Sequence, residues 1–350
     1  MTDKRRLIEN FSALTLMQLL NYILPFITLP YLARVLTVEG YGVYIFSQSL
    51  IQYFIILVDY GFDLSGTREV SINRNNPKKL SEIFSSILVI KFFLMLISLI
   101  ILIILILFVP AISRYWDIHL LMFLMVTGNM LLSIFMYQGL EKMKYITVLN
   151  AGIKIFFTLS IFVFIKDQND LPLVALLNSI GYLIMGLLSL IIIKKFIKIR
   201  FSIPSRESLV NQLKNSSQFF WSRIAVSMYS SSNTFIIGLF LGPVAAGIFG
   251  TADKLFRGVI SLYQPLNNVL YPYIAHSKNI KLYKKLFKLS TISNIIAALL
   301  VFVFSDIIIK IIFGNGYEES VFLLRLFMIA AMYMMPSILM GYPLLGALGY

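Results

Sequence analysis

The chain has 350 residues, of which 59% are hydrophobic and 13% are charged, and its mean hydropathy is +0.85. Soluble domains carry ~25% charged residues, so this composition excludes an ordinary soluble enzyme and indicates an integral membrane protein. The net charge of +14 does not predict nucleic-acid binding, because Lys and Arg fall in short clusters between apolar runs. The chain has no cysteine, and its two histidines, His119 and His276, lie far apart at predicted interfacial positions. We therefore expect no disulfide, metal site or cofactor.

Hydropathy predicts an all-α protein with about ten transmembrane helices, since a helix needs about 20 mostly apolar residues to cross a bilayer. In chain order the predicted spans cover residues 9–33, 41–60, 84–109, 118–140, 147–165, 172–193, 216–241, 247–274, 289–313 and 320–345. The first apolar run follows a basic tail, but it is too long for a signal peptide and lacks a cleavage site, so we expect it to be retained. The short connections between spans predict no soluble domain.

Basic residues indicate the orientation of these spans. Lys and Arg gather in the N-terminal tail and in the alternate loops 61–83, 141–146, 194–215 and 275–288. The opposite loops hold only Arg34, Arg114 and Lys166. Because short cytoplasmic loops carry the excess of Lys and Arg, the N-terminus is predicted to be cytoplasmic.

An internal repeat emerges when the chain is aligned with itself at an offset of 205 residues. Asn10 then falls on Asn215 and Gly42 on Gly247, and cytoplasmic loops fall on cytoplasmic loops. This register predicts two parallel lobes related by a pseudo-two-fold axis along the membrane normal. The lobes are 1–205, with spans 1–6, and 206–350, with spans 7–10. A complete second copy would extend beyond Tyr350, so we expect two of twelve helices to be missing.

Basic residues also lie inside predicted spans, where each costs about 2.5–3.5 kcal/mol at a helix centre. They are Lys91, Lys154, Arg223, Lys254, Arg257, Lys310 and Arg325. Most of them must snorkel, form ion pairs or line a wet cavity. Lys310 lies near the outer end of its span and is predicted to snorkel, whereas Lys91 and Arg325 are compatible with either a structural or a cavity role.

Polar residues at helical spacing give four of the spans a polar face. The eighth span carries Asp253, Arg257, Ser261, Gln264 and Asn268, with Lys254 beside them; the second carries Tyr44, Gln48, Gln52 and Asp59; the first carries Asn10, Gln18, Asn21 and Thr28; the seventh carries Arg223, Ser227, Ser230 and Thr234. Asp253 and Arg257 can neutralise each other as a structural pair, but such a pair leaves Lys254 unexplained. Together the faces predict a two-lobed carrier with a cationic cavity, suited to an anionic, phosphorylated headgroup.

Three stretches resemble the Wzx-type O-antigen and lipid-linked oligosaccharide flippases of the multidrug/oligosaccharidyl-lipid/polysaccharide exporter superfamily. They are N-Y-I-L-P-F-I-T-L-P-Y-L-A-R-V-L with E-G-Y-G (21–42), D-Y-G-F-D-L-S-G-T-R-E-V (59–70) and Y-Q-G-L-E-K-M-K-Y (137–145). In addition, T-A-D-K-L (251–255) and P-Y-I-A-H-S (272–277) look like segments of the related lipid II flippases. In those flippases the first segment holds a membrane-embedded acid–base pair. The likeness assigns this pair to Asp253 and Lys254, with Lys in place of Arg.

The resemblance implies a bacterial inner-membrane flippase with a twelve-helix fold of two six-helix lobes. Its substrate would be an undecaprenyl-diphosphate-linked oligosaccharide, moved by alternating access to the periplasmic leaflet without covalent chemistry. On this hypothesis the diphosphate or acidic sugars contact Lys254, Arg257, Arg223 and Lys154. The polar faces, including Gln48, Gln52, Asn21, Gln264 and Asn268, contact glycan hydroxyls, and Asp253 or Asp59 couples transport to an ion. The pathway's polymerase and glycosyltransferases are the implied protein partners.

Two other functions remain open from the residues. A drug or cation antiporter of the same superfamily would prefer a cavity richer in acidic residues. A membrane-embedded glycosyltransferase or polymerase would need catalytic carboxylates or a metal site in a substantial extramembrane loop. The outer loops are short, and neither D-x-D nor H-E-x-x-H occurs in the chain. We therefore expect a transporter and not an enzyme.

Overall fold

The structure is a computed structural model that describes residues 24, 26–230, 232–263, 280–341 and 344, apart from the side chains of residues 229 and 230. Its described residues form helices and no strands. In chain order the α-helices are α1 (Phe26–Val35), α2 (Thr37–Asp59), α3 (Phe62–Ile72), α4 (Pro77–Phe108), α5 (Pro110–Ser113), α6 (Trp116–Leu131), α7 (Ile134–Gly139), α8 (Met143–Phe164), α9 (Leu171–Ile192), α10 (Arg206–Ser230), α11 (Ser232–Leu241), α12 (Pro243–Ser261), α13 (Ile280–Val303), α14 (Ser305–Phe313) and α15 (Glu319–Leu339). The chain divides into two compact units, unit 1 (Met1–Ala246) and unit 2 (Gly247–Tyr350).

Among the described residues, seven helical stretches are long and apolar enough to cross a membrane, and the bent pair α10–α11 would make an eighth. The prediction of an all-α membrane protein is therefore confirmed. The count of ten spans and the two-lobe symmetry stay predictions, in part because the first and eighth predicted spans run into residues outside the described ranges.

One boundary that hydropathy predicts is wrong. The predicted loop 61–83 is mostly helical, because α3 resumes two residues after α2 ends and α4 begins at Pro77. The Asn76 side chain caps α4 by accepting a hydrogen bond from the Lys79 backbone N–H at 3.2 Å. The predicted span 118–140 agrees with the membrane-length stretch Trp116–Gly139, which is interrupted at Leu132 and Ser133 between α6 and α7. Hydropathy misses α3 because it detects only long apolar runs and α3 is polar.

Helix α4 separates the interior of unit 1 from the surrounding lipid. From Ile87 onward its buried side chains recur every three or four residues, as expected for one face of a helix, whereas residues 83–87 are all buried. The buried side chains of α4 are Leu80, Ile83, Phe84, Ser85, Ser86, Ile87, Ile90, Lys91, Met95, Ser98 and Leu102. Exposed apolar side chains such as Phe93, Ile97 and Ile100 cover other positions along the helix. The sequence thus turns a long apolar helix so that Lys91 points inward.

Helices α6 and α9 form the most closely packed pair of unit 1. A Cβ atom on Gly128 would collide with the backbone of Tyr182, and one on Gly186 would collide with the carbonyl oxygen of Gly128. Only glycine permits this backbone approach, which is a common way to pack helices in membranes. The contact fixes the positions of the neighbouring Asn129 and Tyr182.

In unit 2, α13 packs against α15 and polar groups hold the pair together. The Asn294 side-chain amide donates to the Ala331 carbonyl oxygen at 2.9 Å, and the Tyr283 hydroxyl donates to the Leu339 carbonyl oxygen at 3.0 Å. Arg325 donates to the Ser305 hydroxyl at 2.9 Å, and its guanidinium lies 5.9 Å from the centre of the Phe302 ring. Lys310 is exposed in the last turn of α14.

Candidate functional site

The candidate site of unit 1 begins at a break between α2 and α3. Tyr60 and Gly61 both adopt left-handed backbone conformations, with φ of 46° and 79°. A Cβ on Gly61 would lie 2.7 Å from Phe219 Cβ and 3.0 Å from the Phe220 backbone nitrogen. This position therefore needs glycine both for its φ and for its close approach to α10. The approach brings Arg223, one turn further along α10, next to the break.

Four charged side chains meet at this break. Asp59 and Asp63 lie on either side of it, and Arg223 donates a hydrogen bond to Asp59 Oδ2 and lies 3.6 Å from Asp63 Oδ2. On the other side, Lys91 Nζ lies 3.4 Å from Asp59 Oδ1. The Lys91 side chain is only 2% exposed and that of Asp59 is 7% exposed, whereas that of Arg223 is 43% exposed. Asp59 and Lys91 thus form a buried ion pair, and Arg223 is the accessible member of the cluster.

These charges line a cavity of about 370 Å³, which we call the charged cavity. Its other polar lining residues are Gln52, Asn129, Tyr182 and Ser227. Within its described lining, two carboxylates offset two cations, so it lacks the cationic surplus that the sequence predicts. An anionic group that enters must therefore compete with Asp59 and Asp63 for Arg223.

Hydrogen bonds also join α10 to α3 beside the cluster of four charged side chains. The hydroxyls of Ser65 and Ser216 lie 2.7 Å apart in the interior. One turn further, Glu69 accepts hydrogen bonds from Gln212 at 2.5 Å and from Asn215 at 3.1 Å. The spacing on α10 is three to four residues, so one polar face of this helix runs along α3 and ends at Arg223.

The structure brings together some of the predicted site residues. Gln52 and Asp59 of the second predicted span and Arg223 and Ser227 of the seventh line the charged cavity. In unit 2, Arg257 Nε lies 2.7 Å from Asp253 Oδ2, and Lys254 is half-buried beside them.

Other predicted site residues lie elsewhere. Gln48 and the half-buried Lys154 are absent from the lining of the charged cavity. Tyr44 is buried and accepts a hydrogen bond from Asn178 at 3.0 Å. Asn21, Gln264 and Asn268 fall outside the described residues.

The sequence interpretation missed Asp63 and left Lys91 undecided. Asp63 follows Asp59 by four residues, a helical spacing that was hidden because residues 61–83 were assigned to a loop. Lys91 shares one face of α4 with Ser98, seven residues further along, and both are buried; this single polar neighbour is a weak signal for the position of Lys91.

His119, which the sequence predicts to be interfacial, lies in the first turn of α6. It is fully buried on α6, with its ring 5.7 Å from that of Phe46. Apolar neighbours on both α2 and α6 enclose it, which hydropathy of a single helix cannot reveal. Within the described residues, no group of three or more His, Cys, Asp or Glu side chains could hold a metal ion.

A set of membrane-length helices around a charged cavity defines a multi-pass membrane protein with an internal polar site. A family model described as "Polysaccharide biosynthesis protein" matches residues 7–278. The chain belongs to this polysaccharide biosynthesis family, and the Wzx-type O-antigen flippase family recognised from the sequence is confirmed.

Three curated relatives are similar to the chain. A protein of Escherichia coli K12 named "Putative O-antigen transporter" is 28% identical over 331 residues, which cover 93% of this chain and 80% of that protein. A protein of the same name from Shigella dysenteriae is 26% identical, covering 79% of this chain and 70% of its own length. An uncharacterized membrane protein of Methanocaldococcus jannaschii is 26% identical over 61% of this chain and 54% of its own. No solved structure matches the chain significantly.

Proposed function

We propose that the protein is a flippase that moves a polyprenyl-diphosphate-linked oligosaccharide across the bacterial inner membrane by alternating access. The observation that carries this proposal is the accessible Arg223 in a cavity among membrane helices. The family and the names of two relatives, which refer to O-antigen transport, support the same class of cargo.

Arg223 is suited to a diphosphate on chemical grounds. A cation near a phosphate oxygen gains on the order of 4 kcal/mol at an effective dielectric of ~20, and a guanidinium can hold two oxygens at once. In the structure Asp59 and Asp63 both lie beside Nη1 of this guanidinium. The diphosphate would replace the carboxylates, and Lys91 would remain to neutralise Asp59.

The proposal also includes further cations that would contact the substrate, namely Lys154, Lys254 and Arg257. It includes a carboxylate that would couple transport to an ion, either Asp253 or Asp59. It also includes the contacts of Gln48 and Gln52 with glycan hydroxyls. A neutralised pair such as Asp253–Arg257 could exchange partners in the same way as Arg223.

The test is transport by purified protein in proteoliposomes that contain a polyprenyl-diphosphate-linked oligosaccharide. We expect the wild-type protein to move this lipid between leaflets and Arg223→Gln to lose most of the rate. Lys310→Gln, which removes an exposed cation of α14, is the matched control and should keep the wild-type rate. No translocation by folded wild-type protein, or exchange of a cationic dye instead of the glycolipid, would contradict the proposal and favour the antiporter.

A further inference from the structure

A second cavity of unit 1 lies next to the charged cavity and has the opposite character. It has a volume of about 630 Å³, within the ~300–1,000 Å³ range of ligand sites. Its lining comes from α2, α4, α5, α10 and α11 and includes Tyr53, Leu105, Phe220, Met228 and Phe235. The polar groups of Tyr53 and Ser232 satisfy each other, since the phenol donates to the Ser232 hydroxyl at 2.6 Å. We call this cavity the apolar groove.

The two cavities adjoin and share lining residues. Ile56 and Ser227 line both of them. On α10, Ile224 lines the apolar groove while its neighbour Arg223 lines the charged cavity. On α2, Tyr53 lines the apolar groove and its neighbour Gln52 lines the charged cavity. Helices α2 and α10 therefore lie between the cavities and present one face to each, and the shared residues Ile56 and Ser227 mark the place where a ligand would pass from one cavity to the other.

The apolar groove also reaches the surface of unit 1. Met228 in its lining is 64% exposed, and Ile101 and Ile236 are exposed apolar side chains as well. A charged cavity beside an apolar groove that opens at an apolar surface matches a ligand with an anionic head and a long apolar chain. Sugar hydroxyls, in contrast, would find almost no hydrogen-bond partners in the groove.

We propose that the apolar groove holds the first part of the polyprenyl chain of the substrate while the diphosphate lies at Arg223. This inference rests on the proposed function. The chain gains little hydrophobic free energy by entering the groove, because lipid tails are as apolar as the groove lining. The groove instead positions the chain, so filling it should slow transport more than it weakens binding.

Photo-cross-linking tests the occupant directly. A benzophenone side chain is placed at Leu105 or Met228, and at Leu159 of α8 as a control that is 61% exposed but outside the groove lining. The probe is radiolabelled polyprenyl diphosphate in phospholipid vesicles. We expect several-fold stronger labelling at the two groove positions than at Leu159, and loss of that excess when Arg223 is replaced by Gln or when polyprenol without diphosphate is the probe.

A transport assay provides a second, independent measurement. Met228→Trp fills the apolar groove from its exposed side and should slow translocation several-fold, while Leu159→Trp should not. If the groove positions label no more than Leu159, or label polyprenol equally well, the groove is an ordinary lipid-facing surface and this inference is wrong. The flippase proposal would survive that result if Arg223→Gln still abolishes translocation, and it would fail separately if folded wild-type protein moves no glycolipid.

Discussion

Helices α2 and α12 hold equivalent places in the predicted repeat, but they neutralise their charges in different ways. Thr37 is the first residue of α2, and Gly242 directly precedes α12. The two positions coincide at the offset of 205 residues, and both have a positive φ, of 65° and 86°. The same offset places Gln48 on Asp253 and Gln52 on Arg257. On α12 these two charges pair within the helix. On α2 the charge lies further along, at Asp59, and its partners come from α4 and α10.

This difference indicates which of the two ion pairs contributes more to the stability of the protein. A pair at i,i+4 within one helix with a half-exposed Arg contributes little, because water and lipid headgroups compete for it. A buried carboxylate shared by two other helices is costly to leave unpaired. Stability should therefore depend strongly on the cluster around Asp59 and weakly on the Asp253–Arg257 pair.

The largest effect is expected from Lys91→Met, which keeps the length of the side chain and removes its charge. Asp59 would keep only the accessible Arg223, and losing one partner of a buried pair costs about 3–5 kcal/mol. The midpoint of unfolding in detergent measures this change.

Adding Asp59→Asn to Lys91→Met should restore much of that stability, since the uncompensated carboxylate is gone. Lys310→Met, which removes an exposed cation, is the control and should unfold like the wild type. A wild-type midpoint for Lys91→Met would show that Asp59 does not depend on Lys91.

A smaller loss, of about 1–3 kcal/mol, is expected from Gly61→Ala, because an alanine is strained at φ of 79° and its methyl group would collide with α10. The substitution should also lower transport, since it pushes Arg223 away from Asp59. Gly152→Ala is the matched control: it lies inside α8 with no atom within 4 Å of its Cβ, and alanine should stabilise the helix by roughly 0.5–1 kcal/mol. Equal stability of the two variants would mean that α3 and α10 are not in close contact at Gly61.

The smallest effect is expected from Arg257→Gln. Its side chain is 49% exposed, so loss of the ion pair with Asp253 should change stability by ~1 kcal/mol or less. The unfolding midpoint and the transport rate are to be measured together, because the proposed contact with substrate would lower transport alone. A stability loss as large as that of Lys91→Met would show that α12 relies on this charge as α2 relies on Asp59.

The sequence predicted much of the fold, because long apolar runs identify membrane helices with few assumptions. It did not predict α3, because this helix is polar where it packs against α10 and its sequence therefore looks like that of a loop. Of the charged cavity, helical spacing predicted Gln52, Asp59 and Arg223. Lys91 could not be decided, because an almost wholly apolar helix gives little sign of which face turns inward. The Tyr60–Gly61 break depends on contact with α10, and no local pattern predicts such a contact.

The two walls of the charged cavity differ in how readily they can separate. Asn129 and Tyr182 stand on α6 and α9, whose backbones touch at Gly128 and cannot slide without a collision. The α10 wall is attached to α3 through Ser65 and Glu69 and to α2 through Asp59, and each of these polar contacts can be exchanged for water or for a ligand. In an alternating-access cycle, α6 and α9 would therefore act as the stationary frame, and α10 would swing outward by releasing one polar contact after another.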